Sequence, residues 1–280
     1  MKPGVYTNLS SEEYHAHKES ISRSAIMDFA QSPYTYWAKH LNPDRPIKET
    51  TPAMQFGTAF HMYCLEPQLF WAHYAVKTEH FTLKHLQEVH GKDKGKFLFE
   101  EQKLSVLNLS KENKAILSAD EYTNLKNMLD RITLNDSVME LSRGGKIENS
   151  FFWQDENSGL LLKARPDILH DNMIVDLKTC ADASPRAFQS SMVTGGYHIQ
   201  GAMIRDAVEA IEGHRINNVI NICIETKYPY NMAIYIIDEF AIDAGQEKYK
   251  QICLDLNEAK ETNTFADYGI MTIGLPKWAS

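Results

Sequence analysis

Along this chain apolar residues recur at spacings of three and four in some stretches and at spacings of two, or in short unbroken runs, in others. That contrast separates helices from strands. In SISRSAIMDFAQ, Ile26, Phe29 and Ala30 share a face behind Ser22 or Ser24, either of which suits an N-cap, and Pro33 closes the pattern. The polar stretch NPDRPIKETTP reads as a loop. AMQFGTAFHMYCLE then predicts a short helix with Thr51 as cap, Pro52 in its first turn and Pro67 beyond its end. Between 111 and 141, the spacing of Ala115, Ile116, Tyr122, Leu125, Met128, Leu129 and Ile132 predicts another helix.

From residue 146 the period shortens. KIENSFFWQ, LLLKARPDIL and MIVDLKTC predict three strands separated by turns at DENSG and HDN. A loop containing Ser184, Pro185 and Gly195-Gly196 leads to a helix over 197–212 that stops at Gly213. NVINICIET and NMAIYIID predict a hairpin around KYPY, and 242–262 a last helix. The order implies one mixed α/β domain over 1–280. Its N-terminal part, about 1–145, is helical, and its sheet-containing core spans about 146–280.

Composition narrows the classes of function. With 280 residues, 43% hydrophobic and 24% charged, the chain suits neither disorder nor a fibrous repeat. Its 29 basic against 37 acidic residues give a net charge of -8, so any contact with DNA must use a local patch. One stretch fits: between 77 and 103, Lys77, Lys84, Lys92, Lys94, Lys96 and Lys103 alternate with His80, His85 and His90. Cys64, Cys180, Cys223 and Cys253 form no paired motif, which leaves reduced, packed thiols as the expectation. No apolar run approaches bilayer length, and MKPGVYTNLSSEEY lacks a signal-peptide core. A soluble, cytoplasmic protein with no membrane partner is expected.

The chemistry concentrates between Lys163 and Lys178. If the chain reverses at Asp171-Asn172, Asp167 lies opposite Asp176 and Arg165 opposite Lys178, with all four side chains on one face. Carboxylates facing each other about 5 Å apart repel. Either a shared proton, the flanking Arg165 and Lys178, or a divalent cation must offset that repulsion. On the AMQFGTAFHMYCLE helix, His61 follows Gly57 by one turn, and a glycine there permits close approach of another backbone.

RPD around Asp167, nine residues before the Asp176-Leu177-Lys178 triplet, resembles the bipartite signature of PD-(D/E)xK nucleases. GTAFHMYCLEP, KARPD, VDLKT, YHIQ and LPKWA together resemble the RecE-type exonuclease VIII nuclease domain, related to lambda exonuclease and the RecB nuclease domain. The resemblance implies a restriction-endonuclease-like core with a mixed central sheet flanked by helices. It implies Mg²⁺ or Mn²⁺, one or two ions, held by His61, Asp167, Asp176 and the Leu177 main-chain carbonyl, with Lys178 acting on the attacking water. Glu148, Tyr197 and Gln200 become accessory site residues. Ser22, Arg23 and Ser24 would lie near a terminal phosphate, and Arg165, Lys92, Lys94 and Lys96 along DNA.

The implied activity is a 5′ to 3′ exonuclease on linear double-stranded DNA, making 3′ single strands for recombination. A single-strand annealing partner and a ring-shaped homo-oligomer come with it, residues 77–103 lining the ring. Alternatives are a same-fold single-strand exonuclease or endonuclease, a catalytically silent DNA-binding subunit, and a hydrolase of small phosphoesters. Two departures stand out: Ile204 occupies a position where many relatives carry tyrosine, and Ser32 a position where some carry a cluster-binding cysteine.

Overall fold

Side-chain caps fix where most helices of the first half begin. In the computed structural model, which describes residues 1–46, 50–77, 82–110 and 114–275 without the side chains of 105–110, strand β1 (Gly4–Tyr6) and helix α1 (Ser11–Ala16) precede α2 (Arg23–Gln31). Ser22 caps α2 by accepting the Ala25 N–H, so the earlier of the two candidate serines starts the helix. Helix α3 (Pro33–Tyr36) runs into a π-helical turn at Trp37–Leu41. Thr51 accepts the Met54 N–H to open α4 (Pro52–Leu65), and α5 (Pro67–His73) follows. Strand β2 (Tyr74–Val76) pairs in parallel with β3 (Ala115–Leu117) across α6 (Leu83–His90) and α7 (Lys92–Ser110). Helices α8 (Ala119–Thr133) and α9 (Asp136–Ser142) end this half.

The helix expected over 111–141 is therefore a strand and two helices, with 111–113 outside the described residues. Ser118 and Glu121 form a capping box that starts α8 afresh, and Asn135 caps α9. Ala115 and Ile116 match the helical spacing but belong to a parallel strand pair.

The second half holds β4 (Lys146–Ile147), β5 (Ser150–Gln154), β6 (Leu161–Ala164), β7 (Ile168–Leu169), β8 (Met173–Cys180), α10 (Pro185–Thr194), α11 (Tyr197–Glu212), β9 (Asn218–Glu225), β10 (Met232–Ile237) and α12 (Glu239–Glu261). The segment expected to be a loop around Ser184 and Pro185 is helix α10. Ser184 accepts the Ala187 N–H and Pro185 fits the first turn, a helix-start signal that the reading as a loop passed over.

Five strands form a sheet in the order β10-β9-β8-β7-β4, parallel between β8 and β9 and antiparallel elsewhere. Three more form the sheet β1-β5-β6. KIENSFFWQ and LLLKARPDIL are each divided between these two sheets, yet their pairing keeps one register throughout. Ile147 faces Ile168 in one sheet, Phe151 faces Ala164 in the other, and between them the Glu148 N–H donates to the Asp167 carbonyl at 3.1 Å. Glu148 sits at φ 54, in the left-handed region, and Pro166 has no N–H for the ladder. The hairpin bends there.

Both faces of the five-stranded sheet are covered. One packs Ile174 and Val219 with α11, α12 and α2, through Met203, Leu256 and Ile26. The other packs Val175 and Ile222 with α4 and α8, through Phe60 and Leu125. Strands buried on both sides read as nearly continuous apolar runs, as in β8 and β9. Helices α11 and α12 touch backbone to backbone: a Cβ on Gly245 would lie 2.7 Å from the His198 carbonyl oxygen. Among the described residues no helix is long and apolar enough to cross a membrane.

Candidate active site

The turn between β7 and β8 sets the register that the sequence suggests, with Ile168 opposite Val175 and Leu169 opposite Ile174. Asp167 therefore faces β8 at Asp176, and its Oδ2 accepts the Leu177 backbone N–H at 2.7 Å. Helix α4 brings His61 to the same place, Nδ1 lying 3.3 Å from Asp167 Oδ2. One turn earlier on α4, a Cβ on Gly57 would be 3.2 Å from Thr179 Oγ1, so the close neighbour is a side chain of β8 rather than backbone. Glu148 arrives from the bend, directly across the hairpin from Asp167. His61, Glu148 and Asp167 present ligand atoms that all lie within 4.8 Å of one another.

Electrostatics reflect this crowding. Burial by itself raises the Asp167 carboxyl, but His61, by charge and hydrogen bond, together with Lys178 and the Leu177 N–H, outweighs it and the net direction is down. Burial would lower the His61 imidazole, yet Asp167 beside it and Asp176 behind hold it up at about 9. Burial and the charge of Asp167 push Glu148 up to about 8 against the pull of Arg165 and His61. Asp176 is likewise raised, by burial and by Asp167, with Lys178 opposing. Among the chain's own groups, His61 opposes the charge of Asp167 and Lys178 that of both aspartates.

Asp176 and Lys178 share one face of β8, and α11 lays Gln200 across both. Gln200 Nε2 donates to Asp176 Oδ1 at 2.7 Å, and Lys178 Nζ donates to Gln200 Oε1 at 3.0 Å. Lys178 also ion-pairs with Asp176 Oδ2, and its Nζ lies 4.7 Å from the centroid of the Tyr197 ring. The Leu177 carbonyl lies on the same strand, between the two. Ile204 is buried in the core one turn beyond Gln200.

Sequence reasoning passed over Asn221. It lies beside Asp176 in the parallel β8–β9 pair and is 2% exposed, and its Oδ1 accepts no hydrogen bond among the described residues. The available signal was an asparagine inside the apolar run NVINICIE.

Arg165 corrects the expected hairpin. The strand leaves the five-stranded sheet before that position, so Arg165 does not face Lys178. Its Nε donates to Ser150 Oγ at 2.7 Å and its Nη2 to the Leu9 carbonyl at 2.9 Å, while the guanidinium lies over the Tyr14 ring and 3.9 Å from Glu148. The fold uses this side chain to fasten the N-terminal segment. Lys163 does the same, donating to the Tyr14 and His17 carbonyls. Ser22, Arg23 and Ser24 stand at the N-terminus of α2, where Arg23 donates to the Gly195 carbonyl at the turn before α11.

The basic stretch resolves into α6 and α7, of mixed charge. Lys84 pairs with Glu88 and Lys103 with Glu100, and Lys92, Lys94 and Lys96 are exposed at the start of α7. His80 of that stretch, and the LPKWA motif beyond Leu275, fall outside the described residues.

A family model described as a PDDEXK-like domain of unknown function (DUF3799) matches residues 22–270. The chain belongs to this family. Among solved structures, a Eubacterium rectale protein to which exonuclease activity has been assigned by inference is similar over 91% of this chain and 88% of its own, with 18% identity and a TM-score of 0.60. That likeness shows the fold, and with the family match it is a restriction-endonuclease-like core with a mixed sheet between helices. The alkaline exonuclease LHK-Exo from Laribacter hongkongensis covers 74% of this chain and 95% of its own at 13% identity, but with a TM-score of only 0.31. No curated protein matches the sequence.

The family implies a divalent cation, and the donor set fits one. Carboxylate oxygens with a single imidazole suit Mg²⁺ or Mn²⁺ rather than a thiophilic ion. Asp176 Oδ2, buried and accepting no hydrogen bond among the described residues, adds an oxygen whose present contact is the Lys178 ammonium.

Proposed function

We propose that this PDDEXK-like chain is a divalent-cation-dependent DNA exonuclease, acting 5′ to 3′ on linear duplexes. The observation that carries the reading is the convergence of His61, Glu148 and Asp167 within 4.8 Å, next to a lysine tied to Asp176 through Gln200. His61, Glu148, Asp167 and Asp176 would hold the ion, with the Leu177 carbonyl. When bound, Mg²⁺ or Mn²⁺ lowers the pKa of a water and offsets charge on the departing 3′ oxygen.

The chain's own groups do the rest. Lys178 directs the water toward phosphorus and places positive charge where the phosphorane builds negative charge. Water oxygen bonds to phosphorus, the bond from phosphorus to O3′ breaks, and the products carry a 5′ phosphate and a 3′ hydroxyl. Gln200 fixes Lys178 relative to Asp176, so lysine and ligand move as one unit. Ser22 and Ser24, at the N-terminus of a nine-residue helix beside α11, suit a terminal phosphate. The acidic net charge leaves Lys92, Lys94 and Lys96 as local contacts for the duplex. The resemblance adds an annealing partner and a ring of copies, for which sedimentation of the purified protein is the check.

The experiment is to incubate linear duplexes labelled at either end, and a covalently closed circle, with Mg²⁺, with Mn²⁺ and with chelator. Expected are metal-dependent loss of label from 5′ ends, sparing of the circle, and no activity in Asp176→Ala or Lys178→Ala. Cleavage of the circle would overturn exonuclease action, and unchanged activity in both variants would overturn the site.

A further inference from the structure

Lys178 is held from three sides, and two of them are polar: Gln200 Oε1 and Asp176 Oδ2. The third is the face of Tyr197, 4.7 Å from Nζ to ring centroid. An ammonium within about 6 Å of an aromatic face is attracted by the ring quadrupole, more strongly where water is excluded. A lysine side chain has many rotamers, and a contact that selects one raises the fraction of molecules ready to react.

The ring is itself held in place. On one side is Gly195, where a Cβ would come 2.6 Å from Tyr197 Cε1, so glycine leaves the room that the ring occupies. On another is Phe188 of α10, its centroid 6.2 Å away. Phe188 in turn stacks on Tyr235 of β10 at 4.2 Å and 12°, and the Tyr235 hydroxyl donates to the Ala183 carbonyl at 2.6 Å. Rings from an edge strand and two helices thus line up and end at the lysine.

We infer that Tyr197 is a positioning residue for Lys178: its ring face holds the ammonium against Asp176 and Gln200, and Phe188 and Tyr235 hold the ring. The catalytic step it serves rests on the nuclease reading above. The hydroxyl takes no part, so phenylalanine at this position keeps the device and leucine removes it.

Two measurements test this. In steady-state hydrolysis of a linear duplex, Tyr197→Leu lowers kcat about tenfold, the loss expected of a desolvated cation–π contact. KM for DNA stays within about twofold, while Tyr197→Phe matches the parent protein in both constants. Independently of activity, the Lys178 side-chain NMR resonances, assigned by their loss in Lys178→Arg, are shifted by the ring current in the parent and in Tyr197→Phe. They return toward ordinary lysine positions in Tyr197→Leu, with thermal melting confirming that the variant folds.

A folded Tyr197→Leu with unmoved Lys178 resonances overturns the inference. So does a phenylalanine variant as impaired as the leucine one, or a rise in KM without a fall in kcat, which would mark Tyr197 as a DNA contact. If the parent protein hydrolyses no DNA, the functional reading falls by itself, and the resonances still decide whether Tyr197 holds Lys178.

Discussion

Asp167 Oδ2 accepts the backbone N–H of Leu177 across the hairpin at 2.7 Å, so the strand that carries Asp176 and Lys178 also fixes the opposing carboxylate. Asp167→Ala leaves that buried N–H without its acceptor, a loss of roughly 1–3 kcal/mol, whereas Asp167→Asn retains an oxygen that can accept it. Urea unfolding should rank the parent above Asn and Asn above Ala, and neither variant should hydrolyse DNA. Equal midpoints for Ala and Asn would show that the hydrogen bond contributes nothing.

His61 and Glu148 differ from Lys178 in what their loss should do. His61→Ala and Glu148→Gln each remove a ligand and should weaken Mn²⁺ binding at least about tenfold, measured by the electron paramagnetic resonance signal of free ion. Lys178→Gln should keep Mn²⁺ binding while abolishing turnover. Intact Mn²⁺ affinity in both ligand variants would move the ion elsewhere.

A ligand that binds the folded state alone raises the melting temperature by mass action, about 2.7 kcal/mol at a hundredfold excess over Kd. Mn²⁺ should therefore raise the melting temperature of the parent protein, chelator should reverse the rise, and Asp176→Ala should show little of it. A rise of the same size in Asp176→Ala would exclude that residue from the ion's shell.

Asp28 supplies a pH dependence remote from the site. Burial raises its carboxyl, but hydrogen bonds from His40 and Lys39, at 2.8 and 2.6 Å, outweigh that, and its pKa is held below the ordinary 3.8. A carboxyl depressed in the folded state adds stability above its unfolded pKa and loses it as pH falls through the folded one. The parent should lose stability faster than Asp28→Asn as pH is lowered below 3.8, in thermal melts over the acid range. Parallel acid limbs would mean that these partners do not act on Asp28.

Gly245→Ala opposes a helix-propensity gain of about 1 kcal/mol with a contact that cannot be made, because its Cβ would meet the His198 backbone at 2.7–2.8 Å. Overpacking of this kind costs about 1–3 kcal/mol, so denaturant titration should show net destabilisation. A stabilised variant would mean that α11 and α12 can part freely.

Legibility from the sequence followed from the range of the physics involved. Local signals read well: the Thr51-Pro52 start of α4, the Gly213 stop of α11, and the turn that pairs Ile168 with Val175. The bend at Glu148 and Pro166 did not, because a strand that changes sheets looks in one dimension like a strand that continues. That placed Arg165 against the wrong neighbours. Ala115 and Ile116 misled because two residues cannot distinguish a helical period from a short strand. The ring contact between Tyr197 and Lys178 joins residues nineteen positions apart, on elements whose approach no local spacing encodes.

The bent hairpin also bears on which changes of length the chain can absorb. Glu148 meets Asp167 because the arms keep one register through the bend, from Ile147 opposite Ile168 to Phe151 opposite Ala164. One residue added between Ile147 and Glu148 would turn that carboxylate to the far side of the ribbon, as any single-step slip does in a pleated pair. The same residue added at the exposed Glu156-Asn157 tip would disturb the turn's own bonds from Ser158 to Asp155 but leave the strand partners, Phe151 to Gln154 against Leu161 to Ala164, in place. Insertion tolerance along this ribbon should therefore be high at its tip and vanish at its elbow.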